Sequence, residues 1–167
     1  NCVLHVKKKN EGFKTSSKVQ YVARVGNFID EGAQYSGALQ ILKVILSYDY
    51  LWQNIRVKGG AYGCMCNFGK SGDSYFVSYR DPNLQKTIEI YEQAASFIES
   101  FEADEKGMLK FIIGAVSDLD TPMNPAAKGT RSLMAYLTNQ NFEDIQKERD
   151  ELLGVTIEKI RELSSYI

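Results

Sequence analysis

Histidine is nearly missing from this chain: among 167 residues there is one, His5. A Ser-His-Asp or Cys-His catalytic set would have to use it, close to the chain end, and nothing around it supports that role, so a self-contained hydrolase is disfavoured. Cysteine is also scarce. Cys2, Cys64 and Cys66 are too few for a disulfide framework, and an odd count leaves at least one thiol free, which fits a reducing compartment. No apolar run approaches the ~18 residues of a membrane-spanning helix, and in "NCVLHVKKKN" the charges follow the short apolar stretch, the reverse of a signal peptide. Neither sign of charge dominates: 20 basic against 21 acidic residues give a net charge of −1. That balance argues against a polyanionic partner, which calls for a basic face. The expectation is a soluble intracellular protein without a nucleic-acid or membrane partner.

What is present is enough apolar material for one core: 44% of the residues are hydrophobic. The stretch "KVQYVARVGNF" (18–28) alternates as a strand does, with Val19, Tyr21, Ala23 and Val25 on one face and Gln20, Val22 and Arg24 on the other. From Ser36 the period lengthens. Ala38, Ile41, Leu42, Ile45 and Trp52 recur at helical spacing beside a second strip of Leu39, Leu46 and Tyr50, so this helix should be largely buried and should end near Lys58, before Gly59 and Gly60.

Two alternating segments, 61–68 and 73–80, are joined by "GKSG" and read as a β-hairpin. Asp81-Pro82 reads as the capped start of a helix over 82–101. Further helices are expected over 104–118, 125–138, 142–153 and from Thr156 onward. Strands and helices segregated in this way predict an α+β architecture, a mainly antiparallel sheet packed on one side by helices. The polar run "KKKNEGFKTSSK" is the one linker-like stretch, and residues 1–17 are taken as a linker or edge segment of a single domain spanning 1–167.

Three motifs bear on chemistry. "GCMCNFGKS" ends like a phosphate-binding loop, but five residues separate Gly63 from Gly69 and a strand follows, so it reads as a hairpin turn with an exposed lysine. Cys64 and Cys66 point the same way from a strand. A closed zinc site would need two more ligands, and only Cys2 and His5 remain, so buried structural thiols are the better reading. "RVKGGAYG" (56–63) places an arginine, a glycine pair and a tyrosine where helix passes into strand. It can be pure architecture, with Arg56 favourable at the helix C-terminus and the glycines turning the chain. Alternatively, Arg56 and Tyr62 offer a cation and a phenolic donor to a carbonyl or carboxylate on a substrate. Composition leaves both open.

Taken together, "KVQYVARVGNF", "LWQNIRVKGGAYG", "SYRDPNLQKTIEIYEQAASFI" and "SDLDTPMNPAAKGTRSL" resemble the last domain of pitrilysin/insulinase-type zinc metallopeptidases (inverted zincins), in the presequence-protease, falcilysin-like branch. The resemblance implies a truncated copy of the fold shared by the metalloenzyme LuxS and mitochondrial processing peptidase. It implies a four-domain clam-shell enzyme that degrades short unstructured peptides, with an HxxEH zinc site in the first domain and a last domain that closes over it. Transferred by motif position, Arg56 and Tyr62 stabilise the transition state, and Gly59, Gly60 and Ala61 border the substrate.

The chain itself has no HxxEH and no second histidine, so Zn2+ is expected to be bound upstream, and the segment alone is expected to cleave nothing. Its partners would be the upstream domains and peptide substrates. Its compartment would be the cytoplasm, or alternatively the mitochondrial matrix or a plastid. Two other readings stand beside this one: a non-catalytic scaffold of the same fold, and an unrelated α+β binding module.

Overall fold

The computed structural model describes residues 7–167; Cys2 and His5, weighed above as ligands or base, lie outside them. The core is organised by α1 (Ala38–Ile45) and the π-helical stretch that continues it without a break over Leu46–Val57. Leu39, Ile41, Leu42, Ile45, Leu46, Leu51 and Ile55 of this rod are essentially inaccessible to solvent. Each such side chain contributes about 1.5–3 kcal/mol on burial, so this rod supplies more of the apolar drive to fold than the sheet does.

Expectation and structure part at Trp52. A period of 3.6 places it on the buried strip, yet it is 37% exposed. The bond from the Lys58 amide to the Gln53 carbonyl (3.0 Å) spans five residues. π-Helical winding advances fewer degrees per residue, so the inward positions become Leu46, Tyr50, Leu51 and Ile55 and Trp52 rotates to the surface.

The sheet has three antiparallel strands in the order β1-β3-β2: β1 (Gln20–Asn27), β2 (Gly63–Phe68) and β3 (Asp73–Asp81). β2 and β3 form the expected hairpin, and β1 pairs on the far side of β3. Val22, Cys66, Phe68, Phe76 and Ser78 occupy the face covered by the helices, and β2 lies directly against the rod. Tyr91 reaches across from the helical layer and donates to the Val22 carbonyl (3.2 Å). On the opposite face Tyr21, Tyr79 and Gly63 align across the strands, as do Ala23, Val77 and Met65. Tyr21 (74% exposed) and Val25 (77%) therefore face solvent, and it is Val22, from the less apolar side of β1, that enters the core.

Asp81-Pro82 does not begin a helix. Asp81 ends β3, and Oδ1 of its carboxylate accepts from the Asn83 amide (2.8 Å) in an Asx turn. The expected 82–101 helix is two pieces, α2 (Gln85–Glu92) and α3 (Ala94–Glu99), and nothing in the local sequence marks the break at Gln93. The later elements follow their caps: α4 (Glu105–Leu119) after Asp104, α5 (Pro125–Leu137) after Asn124, α6 (Phe142–Leu153) after Asn141 with a reciprocal Asp144 capping box, and α7 (Ile157–Glu162) after Thr156. A 3₁₀ turn, Leu163–Tyr166, completes the described chain. Glu151 of α6 accepts from the Ser36 hydroxyl (2.9 Å) and the Gly37 amide (2.8 Å), tying α6 to the start of α1.

Candidate functional site at the helix-to-strand turn

The π-helical stretch delivers Arg56 to its last turn, and the chain then reverses into β2 through residues 58–62. The closure consists of two nested bonds: Gly60 N–H to the Arg56 carbonyl (2.9 Å) and Ala61 N–H to the Ile55 carbonyl (3.1 Å). Each spans one residue more than in the Schellman closure of an α-helix, as a π-helical end requires. Gly60 has φ +80°, a left-handed conformation that glycine adopts at no steric cost. The Gly59 carbonyl accepts from the Asn83 side chain (2.6 Å), which fastens the turn to the segment after β3.

Behind the turn lies Asp81, 0% exposed. Oδ2 accepts from the Ser78 hydroxyl (2.6 Å) and the Thr87 hydroxyl (2.7 Å), while Oδ1 takes the Asn83 amide. Asp81 thus holds Asn83, and Asn83 holds Gly59. A carboxylate deep in the fold is tolerable because all three of these donors are aimed at it.

In front of the turn are exposed side chains. The Arg56 guanidinium carbon sits 3.9 Å from the centre of the Trp52 ring, four residues earlier. Tyr62 is 61% exposed and packs against Tyr79, with ring centres 5.6 Å apart, and the Arg80 guanidinium lies 5.4 Å from the Tyr62 ring centre. Among the described residues, Arg56 forms no ion pair, and the Tyr62 hydroxyl has no hydrogen-bond partner. The residues expected at the site therefore divide. Arg56 and Tyr62 present unspent donors, whereas the Gly59 carbonyl and the Gly60 and Ala61 amides are committed to the turn itself, and the Ala61 side chain is buried.

Trp52, Asp81, Asn83 and Arg80 are not marked by the sequence as residues of this site. The Asp-Pro-Asn run at 81–83 carries an Asx-turn signal that a helix-start interpretation masks, and Trp52 was hidden by the change of helical pitch.

The two described cysteines are structural. Burial pushes the Cys64 thiol up to about 11, against a downward pull from Arg56 and a further upward push from Asp81. Burial likewise raises Cys66 to about 11, against the Ser47 hydrogen bond and Lys43, with Cys64 adding a small upward push. Among the described residues no three His, Cys, Asp or Glu side chains converge to hold a metal, so the donor set here does not fit zinc. Iodoacetamide at about pH 7.5 is expected to leave Cys64 and Cys66 unmodified until the chain is unfolded, a pattern that mass spectrometry of the alkylated peptides reads directly. Because both thiols hold their protons more tightly when folded, they should cost the fold stability as pH rises from about 9 toward about 11, with their contribution intact below that window.

A helix-covered antiparallel sheet with a cationic and aromatic turn at its rim defines an α+β domain of two layers. The PreP C-terminal domain family model matches residues 10–166, and the chain belongs to that family. It is 48% identical over 160 residues to "Protein HypA" of Clostridium perfringens, covering 96% of this chain and 16% of that protein. It is 34% identical over 160 residues to presequence protease 1, chloroplastic/mitochondrial, of Arabidopsis thaliana (95% of this chain, 15% of that protein). It is 32% identical over 130 residues to the mitochondrial presequence protease of Aspergillus oryzae, covering 77% and 12%. The chain thus corresponds to a C-terminal domain of a presequence-protease-like peptidase and spans less than a fifth of the length of these relatives. Family membership sets aside the unrelated binding module.

Proposed function

We propose that this domain forms the substrate-facing wall of a zinc-dependent endopeptidase that degrades short unstructured peptides in a closed chamber. The observation that carries the reading is the contrast within one turn. The Gly59 carbonyl and the Gly60 and Ala61 amides are spent internally, while Arg56 and Tyr62 are held outward with donors unspent. A guanidinium and a phenol so placed can hold a peptide carbonyl and stabilise negative charge developing on its oxygen, the arrangement in which preorganised donors act most strongly. Zinc would be held by upstream domains of the same polypeptide, so the present segment by itself should cleave nothing.

The names of the Arabidopsis and Aspergillus relatives place those proteins in chloroplast or mitochondrion, consistent with the organelle alternative, whereas the 48% identical relative comes from Clostridium perfringens. Among the described residues no helix is long and apolar enough to cross a membrane.

The test is peptide cleavage by the full-length protein with and without Arg56→Ala. Arg56 touches its surroundings through one exposed ring, so the variant should fold normally and lose about a hundredfold in kcat/KM. Turnover indifferent to Arg56 would make the domain a scaffold of the same fold.

A further inference from the structure

Arg80 combines two features that local folding does not call for. Its backbone is left-handed, with φ 49°, a conformation that costs an L-residue energy and that glycine adopts freely. Its side chain is exposed and adds nothing to the core. Neighbouring residues of a strand normally point to opposite faces. Here the left-handed step brings both Tyr79 and Arg80 onto the same partner, with the Tyr79 ring 5.6 Å and the Arg80 guanidinium 5.4 Å from the Tyr62 ring. The step is held from both sides: the Arg80 carbonyl accepts from the Tyr62 amide (3.4 Å), and Asp81 is locked in its buried network.

The result is two arginines at one rim, each resting on an aromatic ring. Among the described residues neither has an anionic partner. The acid adjacent to Arg80 in sequence, Asp81, faces inward with its oxygens occupied. A cation–π contact with a ring restrains a guanidinium while leaving its N–H fork open, and that fork matches a carboxylate.

We propose that Arg80 is a specificity-determining residue that binds a carboxylate of the substrate peptide beside Tyr62. The proposal rests on the reading of this turn as a substrate site. The carboxylate can come from an acidic side chain or from the peptide's own C-terminus, and both present the same two oxygens.

The experiment uses the full-length protein and three fluorescein-labelled peptides of otherwise identical sequence: one with a glutamate and an amidated end, one with glutamine and an amidated end, and one with glutamine and a free C-terminal carboxylate. Affinity is read by fluorescence anisotropy and turnover by cleavage. Wild type should prefer one carboxylate-bearing peptide over the neutral one by about tenfold, the scale of a charge-assisted hydrogen bond, and which one it prefers identifies the source. Arg80→Gly should erase the preference while melting at or above the wild-type temperature, since glycine relieves the left-handed strain; Arg80→Lys should retain part of it. Equal binding of all three peptides by wild type, no binding of any of them, or a preference that survives Arg80→Gly would overturn the proposal. Carboxylate-selective binding without cleavage would leave the Arg80 site standing and remove the peptidase reading.

Discussion

Full-length protein carrying Tyr62→Phe is expected to turn over peptides more slowly by about one to a few kcal/mol of transition-state stabilisation, the range for loss of one oxyanion donor, while melting like wild type. The expectation of intact folding comes from the geometry. Only the hydroxyl is removed, it has no hydrogen-bond partner among the described residues, and the contacts of the ring with Tyr79 and Arg80 are retained by phenylalanine. The loss should fall mainly on kcat if, as proposed, the donor acts on charge that exists only in the transition state. A variant that melts lower but turns over normally would show Tyr62 to be a packing residue of the hairpin.

Asp81→Ala should have the larger effect on stability, on the order of 3 kcal/mol, because it strands the Ser78 and Thr87 hydroxyls in places water does not reach and takes the acceptor from the half-buried Asn83 amide. The damage should spread to the turn. Without Asp81, Asn83 loses its anchor and with it the hold on the Gly59 carbonyl, so amide exchange should accelerate over 56–62. Activity should fall further than the unfolded fraction explains, since a shift of about 1 Å in a positioned group can cost on the order of a hundredfold. Asp81→Asn, which keeps the shape and one acceptor oxygen, should lie between. Urea denaturation of the three forms measures the ordering, and an Asp81→Ala protein as stable as wild type would refute it.

Much of this architecture was open to reading residue by residue. The helix starts expected near 104, 125, 142 and 156 agree with the structure, where each follows a side-chain cap at Asp104, Asn124, Asn141 or Thr156, because an N-cap is a local bond between a side chain and amides two or three residues away. The hairpin and the α+β class follow from period-two alternation and from the segregation of strands and helices. Arg56 and Tyr62 stood out by residue type and by resemblance.

The misses share a cause. Trp52 sits at the surface because the helix widens to π winding, a choice of hydrogen-bond register that the burial of Leu46, Tyr50, Leu51 and Ile55 decides collectively. Asp81 looked like a cap because its neighbours in sequence suit one, whereas Ser78, Thr87 and Asn83 claim its carboxylate in the folded chain. Arg80 looked like an ordinary strand residue, and its left-handed turn onto Tyr62, 18 positions away, exists only once β2 and β3 are docked. By itself, then, the sequence determined the class of fold and four of the helix starts, carried by short-range bonds and periodicity, and the family, carried by its motifs. The tertiary structure decided which face of β1 is buried, where the helical phase shifts and which groups surround the turn, because those outcomes minimise the free energy of the whole packed domain and not of any one segment.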